Sequence, residues 1–384
     1  MTVEEAERLA VVSNLELLDG PPSPRVERVA RLAQQLLGLP LVSVNILDAD
    51  RTVSVAGPME GRQMPRGQTF CPYVLRSPGL LVVPDARADD RFCGLASVVG
   101  DPHLRFYAGA PLTVDGQRVG TLCVVGQEPG DLDERQRQAL VELAGWVEEE
   151  LTRGTELARA GEVQRRLLPS RPPEVSGFSL AGHCVQSRGV GGDFYDWYLA
   201  QGRLQVVLAD VMGKGLGAAI IAAGVRAMLR GASRYNELGE AVTRAARALG
   251  EDLEGTGTFV TVFGLRVDCE TGEAQYVDAG HGLAVVLQGD GSYRRLSGWD
   301  PPLGVVRDHR WEVASTVLEP GETMLAVSDG LLDFFDNPRE AVAAAAEAAA
   351  QSETVAELVA TIADFAAQRS PLDDVSVLAL RRDR

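Results

Sequence analysis

Apolar and polar positions along the chain fall into two successive patterns. Between Val26 and Leu37 apolar residues recur at helical spacing, whereas Leu41-Val42-Ser43-Val44-Asn45-Ile46-Leu47 alternates with the period of a half-buried strand. Leu80-Leu81-Val82-Val83 predicts a second strand, stopped by Pro84-Asp85. Phe106 to Val114 and Arg118 to Val125 flank Asp115-Gly116, a turn dipeptide that predicts a hairpin of undefined loop length. Residues 1–150 therefore read as one mixed α/β domain.

From Asp133 the pattern turns helical, with Leu140, Leu143, Val147 and Leu151 forming an apolar stripe. Extending that register reaches Gly154, Ala158 and Gly161, where the seam weakens, since each interior Gly costs about 1 kcal/mol against Ala. Residues 151–169 thus read as a helical linker, frayed or hinged, which Val163, Leu167 and Leu168 close before Pro169. Strands and helices alternate over 170–384. Leu204 to Ala209 predicts a buried strand with Asp210 at its end, and Gly217 to Arg230 a small-residue helix packed on a sheet. Phe259 to Val267 and Ala274 to Val277 read as strands, Arg339 to Gln368 as Ala-rich helix, and Val375 to Leu380 as a closing strand.

A length of 384 residues favours two domains, and the hydrophobic and charged fractions are those of ordinary globular protein. The net charge of -17 argues against nucleic-acid and anionic-membrane partners, which are met by Lys and Arg. No basic start precedes an apolar run and no apolar stretch reads as a bilayer span, so a cytoplasmic protein is expected. Five scattered Cys without a Cys-x-x-Cys pair suit a reducing compartment. Cys71 and Cys93 are read as buried free thiols in preference to a redox pair.

The chemistry lies in four acidic motifs: Gly191-Gly192-Asp193-Phe194-Tyr195-Asp196, Ala209-Asp210-Val211-Met212-Gly213-Lys214-Gly215, Ser328-Asp329-Gly330 and Leu372-Asp373-Asp374-Val375-Ser376. A single Asp-Gly is ordinarily a turn. Here strand-like residues precede Asp210 and Asp329 and follow Asp373, so one sheet system can gather all three. Carboxylates so gathered repel unless a cation lies between them, and oxygen-only ligands favour Mg²⁺ or Mn²⁺ over Zn²⁺. A two-metal hydrolase is the resulting expectation.

These motifs, with Val163-Gln164-Arg165-Arg166-Leu167-Leu168-Pro169, Thr258-Phe259-Val260-Thr261, Asp278-Ala279-Gly280-His281 and Pro302-Leu303-Gly304, resemble the SpoIIE/RsbU branch of the protein phosphatase 2C-like serine/threonine phosphatases. The resemblance implies an α-β-β-α sandwich and two divalent ions, Mn²⁺ or Mg²⁺. It places Asp210 as the bridging ligand, the Val211 carbonyl on one ion, and Asp329 and Asp373 on the other. Asp193 would support the first ion, Asp196 lies nearby, and Asp374 completes the acidic set. Asp193, Asp210, Asp329 and Asp373 are the implied catalytic residues. Where the family pattern reads Asn-Ala-Gly-His, this chain has Asp278; a turn cap or an altered site are its two readings. His281 reads as structural in preference to a proton donor.

Phe70-Cys71, Val83-Pro84-Asp85-Ala86-Arg87-Ala88-Asp89-Asp90-Arg91-Phe92, Phe106 to Leu112 and Gly120-Thr121-Leu122-Cys123-Val124 resemble a GAF domain, an antiparallel sheet flanked by helices. No ligand follows: the cyclic-nucleotide signature is not visible, and tetrapyrrole attachment at Cys71 or Cys93 yields to core packing. The two resemblances together imply a sensor-phosphatase acting on a phosphorylated STAS-type anti-anti-sigma factor, with homodimers forming through the GAF domain and linker helices. Twisting of the connector between Leu140 and Leu168 is the expected route of control. A non-catalytic metal-binding scaffold is the rival; a nucleotide cyclase fails for want of a basic phosphate cradle, Lys214 alone being too little.

Overall fold

The computed structural model describes every residue except 1, 16, 19–22, 40, 290, 291, 297, 370 and 384. The chain divides into two compact units, Met1–Ala158 and Arg159–Arg384.

In the first unit, α1 (Val3–Asn14) and α2 (Pro24–Leu37) precede β1 (Leu41–Leu47), β2 (Arg51–Ala56) and β3 (Gln63–Pro65). Then follow α3 (Cys71–Arg76), β4 (Leu81–Val83), α4 (Ala96–Val99), β5 (Phe106–Val114) and β6 (Gln117–Gly126). The strands form one antiparallel sheet in the order β3-β2-β1-β6-β5-β4. Alternation along β1 explains its two faces. Val42, Val44 and Ile46 join the aliphatic core with Ala30 and Ala33 of α2 and Leu140 and Val147 downstream, while Ser43 and Asn45 turn to the opposite side. That side carries a smaller aromatic core of Phe70, Phe92 and Tyr107. The expected hairpin joins β5 to β6 with Val114 opposite Gln117, so its loop is the two residues Asp115 and Gly116. Both have positive φ, 51° and 75°, the twist that suits a two-residue turn.

The linker region is not frayed. α5 (Glu134–Leu167) is one continuous helix of 34 residues that runs through Gly154 and Gly161.

The second unit contains β7 (Phe178–Val185), β8 (Phe194–Ala200), β9 (Arg203–Val211), α6 (Leu216–Ser233), α7 (Leu238–Thr256), β10 (Val260–Val267) and β11 (Glu273–Ala279). It continues with β12 (Ala284–Leu287), β13 (Tyr293–Arg295), β14 (Ala314–Val317), β15 (Thr323–Val327), α8 (Pro338–Gln351), α9 (Val355–Ala367) and β16 (Val375–Arg382). Two antiparallel five-stranded sheets, β14-β11-β10-β9-β8 and β13-β12-β15-β16-β7, pack face to face. Leu204, Val206 and Leu208 meet Met324, Leu378 and Leu380 between them. The alternate residues face outward: Val207, Ala209 and Val211 pack under α6 and α7, and Leu325, Val377 and Ala379 under α8 and α9. The architecture is α-β-β-α.

One sequence expectation is corrected here. The Ala-rich stretch 339–368 is two helices, because Thr354 forms a capping box with Glu357 and starts α9 afresh. Among the described residues, α6 alone reaches the length and mean hydropathy, 1.2, of a membrane-crossing helix. Its buried face, Ala218, Ala222, Val225 and Leu229, is instead spent on the sheet, and Arg226 and Arg230 interrupt it with charge.

Candidate metal centre

The four acidic motifs converge on one end of the cleft between the two sheets. Asp210 is the penultimate residue of β9, paired with Thr261 of β10. Its parity is that of Leu208, so it faces the inter-sheet side. Asp193 immediately precedes β8, Asp329 follows β15, and Asp373 precedes β16. Strand ends fix the backbones, which places the carboxylates more firmly than flexible loops would.

The electrostatics are those of crowded like charges. Asp193 is 3% exposed, and its Oδ2 is buried without a hydrogen-bond partner. Burial first, and then the Asp210 charge, push the Asp193 carboxyl well above the usual carboxylate range. Asp210 is pushed up to about 6, by burial and then by Asp329, against a lowering contact from Asp193. Asp329 is raised by burial and next by Asp373 and Asp333. Lys214 supplies a nearby cation: its Nζ lies 2.9 Å from Asp373 Oδ2 and donates to the Leu372 carbonyl at 2.5 Å.

An orphaned carboxylate oxygen among mutually repelling acids fits a divalent cation, and the all-oxygen donor set fits Mg²⁺ or Mn²⁺. Among the described residues, no three His, Cys, Asp or Glu side chains are drawn tightly around one point. Lys214 engages one of them, Asp373. The Val211 carbonyl points toward the Gly192 backbone, where a Cβ on Gly192 would lie 2.6 Å from it.

Two of the expected metal residues have other partners. Asp196 lies within β8, and with Phe194 it faces the helix layer instead of the cleft. There it pairs with Arg226 at 3.2 Å and Arg230 at 2.9 Å, one turn apart on α6, and accepts from the Trp197 N–H. The Arg226/Arg230 spacing on a helix was the sequence signal for this. Asp374 accepts from Ser187 N–H and Oγ at 2.8 and 3.1 Å and from Gly192 N–H at 2.8 Å. Its carboxylate fastens the loop that carries Asp193, and a Cβ on Gly191 would overlap it. Both carboxylates are thus engaged by protein groups, Asp196 by arginines and Asp374 by the Asp193 loop.

Gln164, which the sequence offers only as part of a motif, grips the same loop. Its amide donates to Gly191 O at 2.6 Å and accepts from Gly191 N–H at 3.0 Å, with Gln186 donating at 2.9 Å. Asp278 caps a turn, accepting from the N–H groups of His281, Gly282 and Gly298. His281 is buried beside Phe263, with its ring centroid 5.9 Å away, and burial lowers its pKa to about 4. That burial disfavours the imidazolium form.

Residues 200–383 match the family model for stage II sporulation protein E (SpoIIE), and residues 22–151 match the GAF domain model. The chain is 38% identical over 147 residues to the cyclic di-GMP phosphodiesterase PA2567 of Pseudomonas aeruginosa, covering 38% of this chain and 25% of that protein. It is 22% identical over 180 residues to the phosphoserine phosphatase RsbU of Bacillus subtilis, covering 47% and 54% respectively. The chain thus spans a quarter to about half the length of these curated relatives. The solved SiaA-PP2C domain of Pseudomonas aeruginosa shares the fold, with a TM-score of 0.51 at 21% identity over 61% of this chain and 99% of that one.

Proposed function

We propose that this chain, which joins a GAF domain to a domain of the SpoIIE family, is a divalent-metal-dependent serine/threonine protein phosphatase under GAF control. The observation that carries the reading is the gathering of Asp193, Asp210, Asp329 and Asp373 at one cleft with a buried, unpartnered carboxylate oxygen. Similarity to a phosphoserine phosphatase supports it. Asp210 and the Val211 carbonyl would hold one ion with help from Asp193, and Asp210, Asp329 and Asp373 the second. Two such ions, when bound, lower the pKa of water and offset charge on the phosphoryl oxygens. The chain's own contribution is placement. Asp374 and Gln164 fix the Asp193 loop by backbone hydrogen bonds, and Lys214 presents a cation at the rim beside Asp373.

The substrate class we infer is phosphoserine or phosphothreonine on a STAS-type anti-anti-sigma factor, in a cytoplasmic partner-switching pathway. Homodimers through the GAF domain and α5 would carry the signal. The rival reading, a metal-binding scaffold without turnover, draws on the Lys214–Asp373 ion pair, which engages a required ligand. Hydrolysis of p-nitrophenyl phosphate with Mn²⁺, Mg²⁺ or EDTA decides between them. Metal-dependent turnover that falls on the order of 10³-fold in Asp210→Asn supports the phosphatase. Metal binding without turnover, in the full chain and with a phosphorylated STAS protein as substrate, supports the scaffold.

A further inference from the structure

Behind β1 of the first unit lies a cluster that the acidic centre does not involve. Asn45 donates its side-chain amide to Cys123 Sγ at 3.1 Å and to Cys71 Sγ at 3.7 Å. Thr121 donates to Cys71 Sγ at 3.3 Å. Both cysteines are free and 3% exposed. Of the two thiols expected to be buried, Cys71 is and Cys93 is exposed, and Cys123 is the thiol that meets Cys71.

The two sulfurs line a cavity of about 60 Å³ bounded also by Tyr107, Thr69, Met64 and Leu104. Drug-sized and cofactor ligands occupy about 300–1,000 Å³, whereas one water takes about 30 Å³. The space as it stands is the size of a molecule of a few atoms. The two thiols are also electronically unequal. The hydrogen bond from Cys123 brings the Cys71 thiol down to about 7, against the effect of burial. Its hydrogen bond to Cys71, together with burial, pushes Cys123 well above the usual thiol range. Cys71 Sγ accepts from both Asn45 and Thr121 and Cys123 Sγ from Asn45 alone, so the thiolate is better held on Cys71 and the proton stays on Cys123.

We propose that Cys71 and Cys123 form a peroxide-reactive dithiol, which closes to a reversible intradomain disulfide between α3 and β6. The Cys71 thiolate attacks hydrogen peroxide; an S–O bond forms, the O–O bond breaks, and hydroxide departs to become water. Cys123 then attacks the sulfenic sulfur; the S–S bond forms, the S–O bond breaks, and the oxygen leaves as water with the Cys123 proton. Two thiols are oxidised and one peroxide is reduced to two waters, so no further reactant is needed. A two-electron reduction by a dithiol reverses it.

The test uses the full chain carrying Cys93→Ser, which removes the exposed thiol. After hydrogen peroxide treatment and alkylation of remaining thiols, non-reducing peptide mapping reads the bonds. The expected result is a Cys71–Cys123 crosslinked peptide that disappears with dithiothreitol. Cys123→Ser should instead trap dimedone-reactive sulfenic acid at Cys71, and thiol alkylation at Cys71 should outpace Cys123 by about tenfold or more. Thermal melting of each variant reports whether it is folded. Peroxide oxidation confined to Cys184 or Cys269, or a Cys71 that stays reduced in the folded chain, overturns the proposal.

Discussion

The two units bury polar clusters of comparable extent and neutralise them in opposite ways. Behind β1, Ser43, Asn45, Ser54, Thr121, Cys71 and Cys123 pass hydrogen bonds among neutral groups, and the cavity beside them is small. At the cleft of the sandwich, burial and neighbouring carboxylates raise Asp193, Asp210 and Asp329, and Asp193 Oδ2 has no hydrogen-bond partner. A hydrogen-bonded neutral cluster is stable alone, whereas clustered carboxylates wait for a cation. The same contrast recurs within the second unit. Asp196, Asp278 and Asp374 are as buried as Asp193, yet each is met by Arg or by backbone N–H groups. Burial alone therefore does not distinguish these acids; what protein group meets each carboxylate does.

The largest test of that contrast is Asp374→Ala. It strands the part-buried Ser187 and buried Gly192 N–H groups and should cost about 3 kcal/mol in denaturant unfolding of the full chain with EDTA present. Unchanged stability together with lost metal affinity would make Asp374 a direct ligand after all. Asp210→Asn should act with the opposite sign. Its folded pKa of about 6 is raised, so its charged form is penalised in the native state at pH 7. Removing that charge should stabilise the metal-free protein by about 2 kcal/mol above pH 6, a gain that fades as pH falls toward 4. A destabilised Asp210→Asn protein in EDTA would mean that the cleft acids are not in conflict.

The smallest effect separates the two glycines of α5. A Cβ on Gly154 meets nothing within 4 Å, so Gly154→Ala should stabilise by up to about 1 kcal/mol. At Gly161 a Cβ would run into the Gly189 carbonyl, so Gly161→Ala should destabilise and disturb the neighbouring Gln164 clamp. Equal effects at both positions, measured by thermal melting, would restore the reading of a shared weak seam.

Much of the outline was legible because it rests on local periodicity. The alternation in β1, the Asp115-Gly116 turn and the run ending in Asp210 each encode their element within a few residues. The placing of acids at strand ends was legible, and their gathering followed only from the family resemblance. The break at Thr354 was legible too, as a Thr-x-x-Glu pair, but the Ala-rich composition on either side concealed it.

The partner of each acid was not legible. Asp193 and Asp196 lie three residues apart in one motif, and strand parity turns one toward the cleft and the other toward α6. Asp373 and Asp374 are adjacent, yet one meets Lys214 and the other the Gly192 backbone. The pairing of Cys71 with Cys123, not Cys93, depends on β1 lying beside β6, which brings Asn45 opposite Thr121. By itself the sequence determined the elements and the acidic chemistry, because periodicity and residue type are local properties. Tertiary structure decided which carboxylates are satisfied and which thiols meet, because hydrogen bonds and burial are set by contacts between residues far apart in the chain.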